Sequence, residues 1–442
     1  MNTKYDVVVI GGGVAGVSAA IAVRRSGASV LLIEKNMVLG GVLTSALVNP
    51  MMTFNSPVRQ VTDGIGQEII NRLKKIKGTY GHIKDPIGFV ESITPFEPEK
   101  LKTVLISFLR DEKVDYLLGC LVNNVDVFDG YLNKIEIVST GFKVDIQAKI
   151  FIDATGDGNI CIKAGSSYSI GNGNAESCQP MTLVMRLRNI DRQEIIDYIK
   201  KNPGEFVFSK ETQFDYLAVS GFFKQMKKTK EYGLNFKRDR LLFFEVPYRS
   251  DEVFMNTTRY DGYANDPGEL TSAQSSANLD VFNFVEFLNK EIPGFQSAEL
   301  IQTGCSIGIR ETTHVKGDYR INTDDLLNKR KFEDTIAIGA YPVDIHLPSS
   351  ENLKTIKIPY PGEYEIPLRA LIPENLNNVL LAGRNISAQH TAFSAIRTSP
   401  LASSTGQVAG ICASLALKNN GEIRKVKYEE LKNIILKSGG IL

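Results

Sequence analysis

The residues best suited to chemistry by type and spacing begin near the amino terminus. Gly11-Gly12-Gly13-Val14-Ala15-Gly16 sets glycines in the G-x-G-x-x-G order, and Glu34 follows at about the 20-residue spacing of a dinucleotide fingerprint. Without side chains the backbone can approach a pyrophosphate, and a helix starting here offers unpaired N–H groups and a partial positive charge. Glu34, with Lys35 beside it, would take the adenosine ribose hydroxyls; a carboxylate there repels a 2′-phosphate and argues against NADP.

Gly40-Gly41-Val42-Leu43-Thr44 supplies a second glycine pair where the middle of a flavin dinucleotide would lie, which favours FAD over NAD; an ordinary turn is the competing reading. Candidate acid–base groups come later. Three of the four histidines, His314, His346 and His390, fall in the second half of the chain. An imidazole can move a proton near neutral pH when a hydroxyl or amine is dehydrogenated. Asp344 and His346 are two residues apart, so on a strand they share a face and could form an oriented pair, while a structural role is the alternative for each histidine. Arg310 and Arg369 could fork onto a substrate carboxylate or phosphate, or Arg310 could join Glu311 in a network at a domain interface. The charged run from Lys224 to Arg240 reads as a solvated face, and Tyr341, Tyr360 and Tyr364 flank a loop that could cover the flavin. No metal is expected, because the five cysteines are scattered with no C-x-x-C pair.

These groups need elements to position them. Tyr5 to Ile10 and Ala28 to Ile33 are continuous apolar runs, as in parallel strands buried on both faces, and Val14 to Ser26 between them has helical spacing. Helices are predicted over Gly64 to Lys75, Glu99 to Glu112 and Pro400 to Leu417, a β-meander over Tyr116 to Ala148, and buried strands over Ile150 to Asp153 and Asn378 to Ala382. The expected fold is α/β: a Rossmann-like FAD-binding domain of the two-dinucleotide-binding-domain type, residues 1–165 plus 374–442, with an inserted mixed α+β substrate or cap domain, 166–373.

With 51 basic and 50 acidic side chains among 442 residues, the chain has no field to gather nucleic acid or an anionic membrane. No run reaches the roughly 18 apolar residues of a spanning helix, so no membrane insertion is expected. Reduced cysteines and the lack of a leader-like start point to the cytoplasm.

The segments YDVVVIGGGVAG, LIEKNMVLGGVLT, IFIDATGDG and NVLLAGRNISAQHTAFSAIRTSPLASSTGQVAG resemble the large family of FAD-dependent oxidoreductases related to glutathione reductase and the succinate dehydrogenase flavoproteins, over nearly the whole chain. GIRETTHVKGDY, IGAYPVDIH and YEIPLRALIP are similar to a bacterial subgroup whose members mostly lack assigned substrates. The resemblance implies that Gly11, Gly13, Val14, Ala15, Gly16 and Glu34 hold the ADP half, with Gly40, Gly41, Val42 and Thr44 near the ribityl chain and ring. It puts Ala154, Thr155 and Gly156 at the adenine-ribose side, and Gly383 and Arg384 by the ribityl chain, with arginine where many relatives have aspartate. Gly406 and Gln407 would bring a helix N-terminus to the flavin pyrimidine edge; a small-residue helix packed on its neighbours is the alternative. Noncovalent FAD is expected, since no histidine adjoins Gly40-Gly41.

The implied activity is hydride transfer between flavin N5 and a small organic substrate, with the electron donor or acceptor open and room for a homo-oligomer. A flavin-dependent monooxygenase or halogenase is the rival, weakened for halogenases by the absence of tryptophan. A binding module for RNA or protein with a structural flavin is the reading from another class, and near-neutral charge counts against RNA.

Overall fold

The computed structural model describes residues 2–209, 213–235, 237–348 and 353–442. Strand β1 (Lys4–Ile10), helix α1 (Val14–Arg25) and strand β2 (Val30–Glu34) form the predicted βαβ unit. β1 and β2 are parallel, with Val7 opposite Val30 and Ile10 opposite Ile33. Both strands are apolar on both faces because the sheet is covered on both sides, and Val7, Val8, Val9, Leu31, Leu32 and Ile33 are all buried.

Strand Asp115–Leu118 extends this sheet beyond β2, and strand Phe142–Asp153 flanks β1 on the other side. That last strand does two jobs along its length. Its first half pairs antiparallel with Tyr131–Ser139 in the meander, and its second half runs parallel to β1 and, at Phe151–Asp153, to Val379–Leu381. The parallel sheet is thus closed by a strand from near the far end of the sequence. Helix Ser399–Ala416 lies against α1, where Gly406 and Gly410 leave room for the Ala15 and Ala19 carbonyls. The matching order of contacts, Ala15 with Gly406 and Ala19 with Gly410, means the two helices run in the same direction.

A second sheet of six strands carries the order Phe206–Val207, Ala218–Gly221, Leu241–Val246, Arg249–Met255, Met185–Arg188, Glu299–Thr303, with neighbours antiparallel. Helix Pro267–Glu291 helps cover it. Asp266 caps that helix by accepting the Glu269 N–H at 2.9 Å, and Pro267 suits the first turn. Ala273, Ala277, Val281, Phe284, Phe287 and Leu288 recur at helical spacing and form one buried stripe. The core of this unit runs from Met181 to Ile307, whereas Val315, Ile321, Ile336, Val343, Ile345, Tyr364 and Ile366 pack in the core of β1 and β2. These named residues, which the sequence reading put in the insertion, thus share a core with the parallel sheet.

The α/β architecture with a parallel sheet is as expected. Among the described residues, no helix is long and apolar enough to cross a membrane.

Candidate active site

The glycine loop between β1 and α1 is held by crowding that only glycine tolerates. Gly11, at φ 109°, passes under the Ala154 carbonyl, and a Cβ on Gly16 would sit inside the Gly11 carbonyl. Gly13 is different. Its missing Cβ faces open space, with the Gly41 Cα 4.0 Å away, and Gly13 precedes α1 with no side chain capping the helix. Gly41, at φ 56°, closes toward Gly13 from the second glycine pair, and the Gly40 N–H donates to the Gly12 carbonyl at 2.8 Å. Buried Glu34 accepts the N–H groups of Gly12 and Asn36, so its carboxylate is fixed beside this gap.

A second cluster centres on Glu311, which is only 1% exposed. Its Oε1 accepts from His314 Nε2 and His390 Nδ1, each at 2.7 Å, and its Oε2 accepts the Gln179 N–H at 2.9 Å. Burial alone would raise this carboxyl, but the two imidazole hydrogen bonds and charges hold it down at about 2. His390 Nε2 has no hydrogen-bond partner among the described residues and is not among the sealed, unpartnered polar atoms. Among the described residues, Glu311, His314 and His390 are also a set whose donor atoms approach as metal ligands would; here both imidazole protons go to the one carboxylate oxygen.

A third cluster joins through Gln179, whose Oε1 accepts the His346 N–H at 3.2 Å. On strand Val343–His346, Asp344 Oδ2 accepts from Tyr341 OH at 3.0 Å and from His346 Nε2 at 3.2 Å. Arginine can only donate, so the 3.0 Å contact of Arg259 Nη2 with His346 Nδ1 makes Nδ1 the acceptor and places the ring proton on Nε2. Burial, followed by the opposing pulls of Asp344 and Arg310, leaves His346 well below the usual imidazole range, so the ring is neutral. Arg397 approaches the same carboxylate at 3.7 Å, and the Asp344 charge also acts on Arg238 and Arg310.

Residues 6–435 match the family described as FAD dependent oxidoreductase. The chain belongs to that family. Thiamine thiazole synthase of Methanococcus aeolicus is 28% identical over 181 residues, 38% of this chain and 62% of that protein. Fumarate reductase (cytochrome) of Shewanella frigidimarina is 35% identical over 103 residues, 21% of this chain and 18% of that protein. Soluble pyridine nucleotide transhydrogenase of Mycobacterium bovis is 35% identical over 118 residues, 26% and 24% of the two chains. The chain thus spans less than two thirds of each of these relatives. Among solved structures, p-nitrophenol 4-monooxygenase PnpA from Pseudomonas putida aligns over 100% of this chain and 87% of its own, with a TM-score of 0.52 at 12% identity. The flavin-dependent halogenase CmlS aligns over 99% and 64%, with a TM-score of 0.51 at 14% identity. These likenesses show the fold alone.

The cradle suits the FAD for which this family is named. The open face of Gly13, the uncapped N-terminus of α1 and the fixed Glu34 carboxylate are what a pyrophosphate and a ribose need. Val14 begins α1 and is partly open, Ala15 sits beneath Gly383 and Gly406, and Lys35 is exposed. Val42 is exposed at the start of the turn Val42–Ser45, while Thr44 turns inward and donates to the Leu39 carbonyl at 2.5 Å. Ala154 abuts Gly11 and Gly16. Thr155 likewise turns inward, donating to Asp153 at 2.7 Å. Gly156 passes over the Arg384 guanidinium, which is committed to Asp157 and to the Ile309 carbonyl.

Three expectations need correction. Gly406 and Gln407 lie mid-helix, since the helix starts at Ser399 with Thr398 as its uncapped N-cap. Gly406 serves close packing on α1, and Gln407 accepts the Ile65 N–H and donates to the Ser438 carbonyl. Arg369 is half-exposed and pairs bidentately with Asp334, each bond 3.0 Å, because it points out of a short 3₁₀ turn whose other residues are buried. His346 has both ring nitrogens engaged, Nε2 by Asp344 and Nδ1 by Arg259, so neither is open to a substrate in this structure.

The sequence reading missed Arg238, Arg259 and Gln179. Arg238 was hidden in a run of charges that reads as solvated, yet it is buried. Arg310 and Glu311, adjacent in sequence, point apart: Arg310 Nη1 donates to the Pro180 carbonyl at 2.6 Å, while Glu311 serves the histidines.

Proposed function

We propose that this enzyme is a dehydrogenase or reductase that moves hydride between FAD and a small organic molecule, with His390 handling the proton. The observation that carries this reading is the Glu311–His390 pair. Glu311 holds the proton on Nδ1, which leaves Nε2 as an acceptor at a fixed position. When bound, FAD supplies the two-electron chemistry.

The chain's own residues would do the rest. The glycine loop and the α1 N-terminus bind the pyrophosphate, and Glu34 the ribose. Helix Ser399–Ala416 runs parallel to α1 but starts earlier relative to it, so its N-terminus extends beyond that of α1. Unpaired N–H groups there would favour negative charge at that end. His390 Nε2 would take or return the proton, and Glu311 would keep its tautomer. The printed names of two relatives, a fumarate reductase and a transhydrogenase, fit hydride chemistry, although the chain matches only part of each.

Anaerobic photoreduction of the yellow protein, followed by mixing with oxygen or with candidate donors and acceptors, tests the reading. Slow reoxidation by oxygen and a flavin band that responds to a small organic molecule support it. Fast oxygen consumption coupled to substrate hydroxylation would replace it with the monooxygenase alternative.

A further inference from the structure

Among the described residues, Arg238, Arg310 and Arg397 have few acidic partners. Arg238, Arg310 and Arg397 come from three distant segments, and Arg259 joins them through His346. Among the described residues, the one ion pair that Arg238, Arg310 or Arg397 makes is the long 3.7 Å approach of Arg397 to Asp344. Asp239, the nearest other candidate, is occupied by Arg240 through two 2.7 Å bonds. Arg238 makes a 3.3 Å bond to the Asn256 carbonyl, and its Nε is sealed without a partner. Arg397 Nε, Gln179 Nε2 and Asp344 Oδ1 are likewise buried and unpartnered.

Arg310 has two bonds, both through Nη1, to the Pro180 carbonyl and the Thr182 hydroxyl. Among the described residues its Nε and Nη2 have no hydrogen-bond partner, and neither is sealed, so one edge of its fork is available. Burial and the neighbouring arginines push its pKa well down, and burial lowers that of Arg238 to about 9. Cations gathered in this way repel one another and have left water without compensation, an arrangement that an anion would relieve.

The pocket also adjoins the path of the cofactor. The Ser306 N–H donates to the Ser45 carbonyl at 3.2 Å, and a Cβ on Gly308 would touch Ala46, so the segment leading into Arg310 lies on the continuation of the Gly41–Ser45 turn. Arg397 stands two residues before the helix that begins at Ser399. Gln179 ties the pocket to Glu311 and hence to His390.

We propose that this arginine pocket is the substrate-recognition half of the active site and that it takes an oxyanion, a carboxylate or phosphate carried by the small organic substrate, on the open edge of Arg310 with Arg238 and Arg397 behind it. The inference rests on the oxidoreductase reading above and specifies the substrate class. A guanidinium fork matches the two oxygens of such a group, and Tyr341 and His346 engage Oδ2 of Asp344, the carboxylate that Arg397 approaches. Arg259 further borders a cleft of about 330 Å³ with Lys237, Tyr260 and Leu347.

Titration of the yellow holoenzyme with succinate and, separately, inorganic phosphate, at constant ionic strength and read by calorimetry and the flavin difference spectrum, tests this. One or both anions should bind at a single site and raise the melting temperature. The arm that binds tells carboxylate from phosphate. Arg310→Met should weaken binding by at least about tenfold. Because that variant removes an uncompensated cation, its anion-free melting temperature should match or exceed wild type, which a merely damaged fold would not do. Arg310→Lys, which keeps charge but loses the fork, should fall between the two. A yellow wild type that binds neither anion overturns the inference and leaves the oxidoreductase reading standing, as does Arg310→Met binding as well as wild type. Anion binding by a protein that photoreduces but turns over no donor or acceptor would overturn the oxidoreductase reading instead.

Discussion

In the nucleotide cradle the working groups are backbone N–H donors and absent side chains; in the arginine pocket they are guanidiniums brought from four places in the chain. The cradle is built almost entirely within residues 11–44, so local geometry fixes it. The pocket exists only after two cores have packed together, with Arg238 and Arg259 from one side and Asp344, His346 and Arg397 from the other. One site is intolerant of added volume, the other of altered charge.

Substitutions can separate these two sensitivities. The largest effect is expected for Gly16→Val, which drives a side chain into the Gly11 carbonyl; flavin content per protein should fall below about a tenth of wild type, read from the absorbance ratio. Retention of full flavin would mean that the loop is loose and the contrast false. Next, His390→Asn should lower turnover by about 100-fold or more while the protein stays fully yellow. Glu311→Gln should shift the pH profile of turnover, since it removes the group that fixes the His390 tautomer.

A smaller effect tests burial without an opposite charge. His82, stacked on Phe54 at 4.3 Å and bonded to Thr94 and Gln67, is held at about 4, chiefly by burial and then by the Lys74 charge. Its folded value lies below the ordinary 6.5, so its contribution to stability is complete above that pH and is lost as the pH falls toward 4. His82→Gln should flatten the melting temperature over this window, by the equivalent of about 1–2 kcal/mol after partial exposure is allowed for. The smallest effect belongs to Arg369→Ala. Its exposed pair with Asp334 predicts under about 1 kcal/mol in stability and under about twofold in turnover. A large loss of turnover there would move the anion site out of the arginine pocket.

The same contrast explains what could be read from the sequence. The βαβ unit and its glycines were legible because apolar runs and turns report on neighbours in the chain. The Asp344–His346 pair was legible from strand periodicity, but its chemistry was not, because Arg259 reaches Nδ1 from the other core. The span of helix Ser399–Ala416 was legible, expected from Pro400 to Leu417, yet the reading that set Gly406 and Gln407 at a helix N-terminus overlooked that start. Arg238 left none, since a run of lysines and arginines looks the same whether or not one of them turns inward.

The seat of helix Ser399–Ala416 on α1 also sets a timetable for biosynthesis. Ala15, Ala19 and the carbonyls beneath Gly406 and Gly410 are covered by a segment made nearly 400 residues later, which at about 5–20 residues per second arrives roughly 20–80 s after α1 leaves the ribosome. Strand Phe142–Asp153 waits for Val379–Leu381 in the same way. The nascent chain therefore carries an uncovered apolar helix until residues 399–416 emerge, and the cofactor can be locked in only after they do.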